Sequence, residues 1–187
     1  MPHGPTRGAV VALACALAAP VALAFVEGPY PGMTGGFGEP TCRQCHFDNP
    51  VDEPSGAVSL SGIPEQYTPG RQYLITVRLH RPAVHRGGFQ VSARLAEPPR
   101  TGRQAGALAA LDARVQVVAA QEGDVRYLQH TKGGSETATP GEMIWTFAWT
   151  APADGGAVVF HLAANASNAD DSPLGDFIYA TEARSAR

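Results

Sequence analysis

Five consecutive residues carry most of the chemistry in this sequence: Cys42-Arg43-Gln44-Cys45-His46. Cys-x-x-Cys-His is the spacing at which two thiols reach the two vinyl groups of a porphyrin and form thioethers. The adjacent histidine then lies under the iron and supplies an axial imidazole. The motif therefore predicts one covalently attached haem c, with Cys42 and Cys45 as cofactor-binding residues and His46 as the proximal iron ligand. Three other uses of the cysteines stay open. A local disulfide is allowed in an oxidising compartment. A thioredoxin-like redox pair needs a βαβ context, which the surrounding pattern lacks. A structural zinc site needs four ligands, and there is no second cysteine pair.

A sixth iron ligand has several candidates: His80, His85, His130, His161, Met33 and Met143. His80 ends a strand pattern on its polar side, His85 lies in an arginine-rich loop, and Met143 precedes a run of core residues. Met33 stands so close before Cys42 that only a tight loop would bring it to the iron. His130 closes a strand pattern and opens Thr131-Lys132-Gly133-Gly134, where a Gly-rich loop lets a flat cofactor approach. His161 alternates with Phe160 and Leu162, so it points away from the main core.

Met1–Ala24 reads as a secretory signal: Arg7, then a nearly unbroken apolar run from Gly8 to Ala19, then Ala22-Leu23-Ala24 with small residues at the cleavage positions. A retained anchor is the competing reading. The run is short of the roughly 20 residues that span a bilayer, and Pro20 interrupts it. The expected mature chain is exported, periplasmic or extracellular, with no stable membrane span. Cys15 leaves with the signal, so Cys42 and Cys45 remain as its two cysteines.

The elements that must position the motif follow from pattern and composition. Of 187 residues, 44% are hydrophobic and 17% charged, and Gly (21) with Pro (16) make about a fifth of the chain, which argues for short strands and turns over long helices. The formal net charge of −3 gives no pull toward nucleic acid. Residues 25–54 are loop-like and rich in Gly and Pro. Residues 55–183 show period-two alternation, the mark of half-buried strands: Tyr73, Ile75, Val77 and Leu79; Phe89, Val91, Ala93 and Leu95; Trp145, Phe147 and Trp149; Val158, Phe160 and Leu162. About eight strands are expected, joined by turns such as Thr68-Pro69-Gly70 and Asp154-Gly155-Gly156. The fold class that follows is all-β, an antiparallel sandwich of immunoglobulin or fibronectin type. The Trp145, Phe147 and Trp149 stripe is expected in its core. Ala107–Leu111 reads as a helical turn. The arginines Arg71, Arg78, Arg81, Arg86, Arg94, Arg100 and Arg103 read by default as a solvated face that could also steer a redox partner or pair with haem propionates. Asn168–Asp176, with Asp170 and Asp171, reads as a polar turn or an oxygen-rich calcium loop. No phosphate loop, nucleophile elbow or zinc-protease helix is present, so no hydrolase or kinase chemistry has residues to act with.

Several phrases resemble exported bacterial reeler-domain (reelin-like, choice-of-anchor) proteins. They are Gly35-Gly36-Phe37-Gly38 with Cys42–His46, Ile63-Pro64, Tyr67-Thr68-Pro69-Gly70, Gly88-Phe89-Gln90, Gln129-His130-Thr131, Trp145–Pro152 and Gly175-Asp176-Phe177-Ile178-Tyr179. The resemblance implies an immunoglobulin-like sandwich with the Cys-x-x-Cys-His segment ahead of its first strand. It also favours His130 over His161 as the distal metal ligand. The expectation for function is an exported monohaem electron-transfer module, not a catalyst, working with another exported redox protein. The alternatives are a non-enzymatic binding or structural domain with a local disulfide, and a haem-based sensor of small ligands.

Overall fold

A computed structural model describes Met1, residues 26–137 and residues 139–187. The expected signal Met1–Ala24 lies, apart from Met1, outside the described residues. Among the described residues nine strands form: β1 (Ala57–Ser61), β2 (Gln72–His80), β3 (Arg86–Leu95), β4 (Ala107–Ala110), β5 (Val115–Ala119), β6 (Arg126–His130), β7 (Glu142–Thr150), β8 (Val158–Ser167) and β9 (Phe177–Ser185). They make a four-stranded sheet in the order β1-β2-β7-β4 and a five-stranded sheet in the order β5-β6-β3-β8-β9. Every strand pair is antiparallel. The all-β sandwich is therefore as expected, with one more strand.

Alternation decides which side chains meet between the sheets. Ile75, Val77 and Leu79 from β2 and Met143, Trp145, Phe147 and Trp149 from β7 are buried against Phe89, Val91 and Ala93 of β3 and Phe160 and Leu162 of β8. Ring contacts cross the interface: Trp149 meets Phe160 edge-on at 4.9 Å between centroids, and Phe89 tilts against Trp145 at 4.7 Å. The indole N–H groups are not stranded by this burial. Trp145 Nε1 donates to Gly134 O at 2.8 Å and Trp149 Nε1 to Ala105 O at 2.9 Å.

The additional strand replaces the helical turn expected over Ala107–Leu111. Ala107–Ala110 pairs with Thr150–Phe147 of β7. Alanine favours helices in isolation, but here the open edge of β7 offers backbone partners, and Leu108 fills a buried position beside Trp149. Gly106, at φ +72, makes the entry possible, since a Cβ there would sit 2.1 Å from Thr150 O. The last strand also runs further than its apolar pattern, to Ser185.

The outer face of the five-stranded sheet is covered over β3 and β6, while Glu182 and Arg184 of β9 are exposed. Gln90, Ser92, Arg94 and Gln129 point outward from the core yet are buried, because the segment from Val26 to Asn49 lies across them as a strap. Gln90 Oε1 accepts from Gly32 N and Met33 N at 2.9 and 2.7 Å, while its Nε2 donates to Tyr30 O and Gln129 Oε1. Arg94 pairs with Glu39 of the strap, and Tyr127 OH donates to the same carboxylate. Arg94 thus departs from the solvated face expected of the arginines.

Trp149→Ala will cost about 3–5 kcal/mol, the range for emptying a buried aromatic site, read as a lowered denaturation midpoint in urea. Gln90→Ala will leave two strap N–H groups without their acceptor, at about 1–3 kcal/mol for each unsatisfied group. The strap will then be cut by protease faster than the sandwich.

Candidate haem site

The Cys-x-x-Cys-His segment is wound into one short 3₁₀ turn, Cys42–Gln44. Thr41 caps it by accepting from Arg43 N, and Cys42 O accepts from both Cys45 N and His46 N. This curl sets the second thiol and the imidazole back beside the first thiol. The segment is then tied to the C-terminal strand region: Gly175 N donates to Asp48 Oδ2, and Asn49 Nδ2 donates to Asp176 O, each at 2.9 Å.

Cys42, Cys45 and His46 line a cleft between the strap and the end of the five-stranded sheet. His130, Met33, Gly88, Phe89 and Asn165 line the same cleft, with Arg86 and Asp171 among its polar residues. Its enclosed volume is about 100 Å³, below the roughly 300–1,000 Å³ of ligand pockets. Both cysteines are free thiols. Burial of the Cys42 thiol pushes its pKa up to about 12; a backbone hydrogen bond opposes this and the Cys45 thiol adds to it. A thiol held protonated is a slow nucleophile for disulfide exchange.

The two imidazoles are presented in complementary ways. His46 Nδ1 lies 2.7 Å from Asp176 Oδ2, which leaves Nε2 with only Asn165 Nδ2 at 3.5 Å, too long for a strong hydrogen bond. His130 is buried, and its Nδ1 faces Phe89 N at 3.0 Å and Phe89 O at 3.3 Å. The backbone of Phe89 can thus serve either tautomer, and Nε2 is the nitrogen left for a metal. Desolvation pulls the pKa of His130 down, partly offset by the Phe89 backbone and the charge of Glu27; the neutral ring is the form that ligates. Gly88 lies directly against this ring, since a Cβ there would fall 2.1 Å from His130 Cε1. Gly88 and Asn165 are register partners on β3 and β8, so the two histidines stand over adjacent strands at one end of the sheet.

His161 is not brought into this cleft. Its ring lies under Gly36 and edge-on to Phe37 at 5.2 Å, with Nε2 3.4 Å from Glu182 Oε2. His80 and His85 are exposed, and Met143 is fully buried in the core. Met33, which the spacing made a remote candidate, does line the cleft. The Asn168–Asp176 loop is a series of side-chain-capped turns: Asp170 N donates to Asn168 Oδ1, and Ser172 N to Asp170 Oδ1. Among the described residues no group of three or more His, Cys, Asp or Glu side chains is arranged to hold a metal ion by itself.

The residues present fit a haem. Two thiols and two imidazoles share one largely apolar cleft, His46 Nε2 has only the long contact to Asn165 Nδ2, and Gly88 omits the side chain that would displace His130. Asn165 Oδ1 is buried beside His46 without a protein partner. Sequence reasoning missed Asp176, Asn165 and Gly88 as parts of this site. A ligating histidine usually donates its other N–H to an acceptor, but the sequence does not say which residue that is.

No protein-family profile matches the chain, and no curated protein matches it. Among solved structures, the chain is similar to the reelin-N domain of F-spondin, with a TM-score of 0.49 and 17% identity over 78% of this chain and 94% of that one. It is also similar to a human F-spondin reeler domain, at TM-score 0.44 and 20% identity over 71% and 92%. A cohesin module from a Clostridium perfringens family 33 glycoside hydrolase gives TM-score 0.44 and 11% identity over 71% and 96%. The likeness is one of chain path, not of chemistry.

Gly88→Ala will force the His130 ring out of place and destabilise the fold by about 1–3 kcal/mol, as overpacking does. Chemical denaturation measures the loss, and a shift of the His130 ring resonances reports the displacement.

Proposed function

We propose that this chain is an exported monohaem c-type electron-transfer module. The observation that carries the reading is the convergence of Cys42, Cys45, His46 and His130 on one cleft, from positions far apart in the sequence. Cys42 and Cys45 would hold the haem: each S–H would add across one vinyl group, a reaction that needs no oxidant. His46 and His130 would be the residues that hold the iron, each through its Nε2. Haem held there supplies a one-electron iron(III)/iron(II) couple. With both imidazoles bound, no open position would remain, which would suit electron transfer over oxygen chemistry. Val26 and Pro29 give the cleft wall apolar lining, and Arg86, paired with Asp171 and Glu136, places a guanidinium at the cleft that could pair with carboxylates. The electron is exchanged with another exported redox protein, the signal-like Met1–Ala24 segment supporting that compartment. No substrate is turned over.

A second reading is a non-enzymatic binding domain whose cleft takes a ligand other than haem. It is supported by the polar pins Gln90 and Glu39, which fix the strap and with it the cleft wall at positions remote from Cys42 and Cys45. A sensor of small ligands differs from the leading reading only in having an open sixth position.

Expression in a host competent for cytochrome c maturation separates the three. The leading reading expects a red protein, heavier by one haem, with a sharp visible band on reduction and no change on adding carbon monoxide. Cys42→Ala with Cys45→Ala will be colourless, and His130→Ala will bind carbon monoxide when reduced. A colourless wild type, lighter by the two hydrogens of a disulfide, overturns the haem reading in favour of the binding domain. A red wild type that binds carbon monoxide favours the sensor.

A further inference from the structure

Resting on the haem reading above, we propose that Asp176 is a positioning residue that governs how strongly His46 donates to the iron, and so holds the reduction potential low. The side chain of Asp176 is 1% exposed, and its Oδ2 stands 2.7 Å from His46 Nδ1. It is fixed from two further directions: Asn165 Nδ2 donates to Oδ2 at 2.9 Å, and Asn168 N donates to Oδ1 at 3.0 Å. The acceptor facing the imidazole N–H is thus a carboxylate, not a neutral carbonyl. A carboxylate draws the Nδ1 proton toward itself, pushes charge onto Nε2 and makes the ring a stronger donor. A stronger donor favours the higher charge of iron(III) over iron(II), which lowers the potential. Burial magnifies the effect, because a charge in a low-dielectric surrounding is screened less.

Asn165 shows that this carboxylate is served deliberately. Its amide is turned so that Nδ2 meets Asp176, and the cost is a buried Oδ1 without a partner. The opposite orientation would set Oδ1 against Oδ2, two acceptors together. Asn165 also takes up part of the charge that Asp176 would otherwise direct at His46. The two residues therefore act on the potential with opposite signs, which general loosening of the site would not do.

The test is spectroelectrochemical titration of the haem-loaded full chain as wild type, Asp176→Asn and Asn165→Ala. Asp176→Asn is expected to raise electron affinity at least tenfold, about 59 mV for one electron. Asn165→Ala is expected to shift it the other way. A haem-loaded Asp176→Asn protein with the wild-type potential, or a lower one, overturns the proposal. If Asp176→Asn does not load haem, Asn165→Ala decides: a fall in potential supports the proposal, and no change or a rise overturns it. A wild type that takes no haem fails the haem reading itself, whereas a red wild type whose variants do not shift as stated fails only the role of Asp176.

Discussion

The strap from Val26 to Asn49 is pinned to the outer face of the five-stranded sheet by polar side chains that are buried or nearly so. Gln90 is the central pin, with no exposed surface and with both ends of its amide used: the oxygen by two strap N–H groups and the nitrogen by Tyr30 O and Gln129. Arg94 and Glu39 form the second pin. A buried ion pair of this sort contributes little net stability over an apolar contact, but each member makes the other obligatory. What the pair specifies is position. An apolar strap could slide on an apolar sheet face, whereas Gln90 and Arg94 accept one register only.

That register carries directly into the cleft. β3 holds Gln90 and, two residues earlier on the same face, Gly88, on which the His130 ring rests. β8 pairs with it so that Asn165 stands opposite Gly88, and Asn165 in turn approaches His46 through Asp176. A slip of β8 by one residue would turn Asn165 into the core and Ala164 outward, because side chains alternate faces with a period of two. The apolar anchors Phe160 and Leu162, buried between the sheets, forbid the slip. The packing of the sandwich core thus determines the spacing of polar atoms on the opposite face of the same sheet.

The strands were legible in the sequence because alternation reports them locally: Tyr73 to Leu79, Phe89 to Leu95 and Trp145 to Trp149 each read as one buried row and are one. The Ala107–Leu111 segment was misread because a short alanine-rich run carries little pattern, and its strand conformation comes from the β7 edge it meets. Alternation also says which residues lie opposite the core but not what covers them, so Arg94 read as solvated although Glu39 and Tyr127 enclose it. The candidate site was half legible. Cys42, Cys45 and His46 are adjacent, so spacing exposes them. His130 needed the Gly-rich loop and the family resemblance to stand out from His161, and the fold separates the two because only His130 sits at the end of its strand beside Gly88. Asp176 looked like one more polar residue in a turn. Its contact with His46 joins the loop before the first strand to the start of the last one, and no local pattern encodes that meeting.

The two imidazoles of the cleft come from different kinds of structure, and this has a physical consequence. His130 belongs to the sheet, with its ring held by Gly88 below and the Phe89 backbone beside it. His46 belongs to the strap side and reaches the sheet through Asp176 and Asn165. The second histidine is therefore in place only when the strap is docked and the 42–52 segment is tied to β9, as Asp52 N to Ile178 O and Ala180 N to Asp52 Oδ1 tie it. Regions held by few contacts open at lower free energy than a buried core. A cofactor joined covalently to Cys42 and Cys45 and bonded to His130 would bridge strap and sheet, so strap opening would have to break an iron–nitrogen bond as well as the pins at Gln90 and Arg94. Attachment at the strap and ligation from the sheet would together make the cofactor a further tie between a segment held by polar pins and the sheet beneath it.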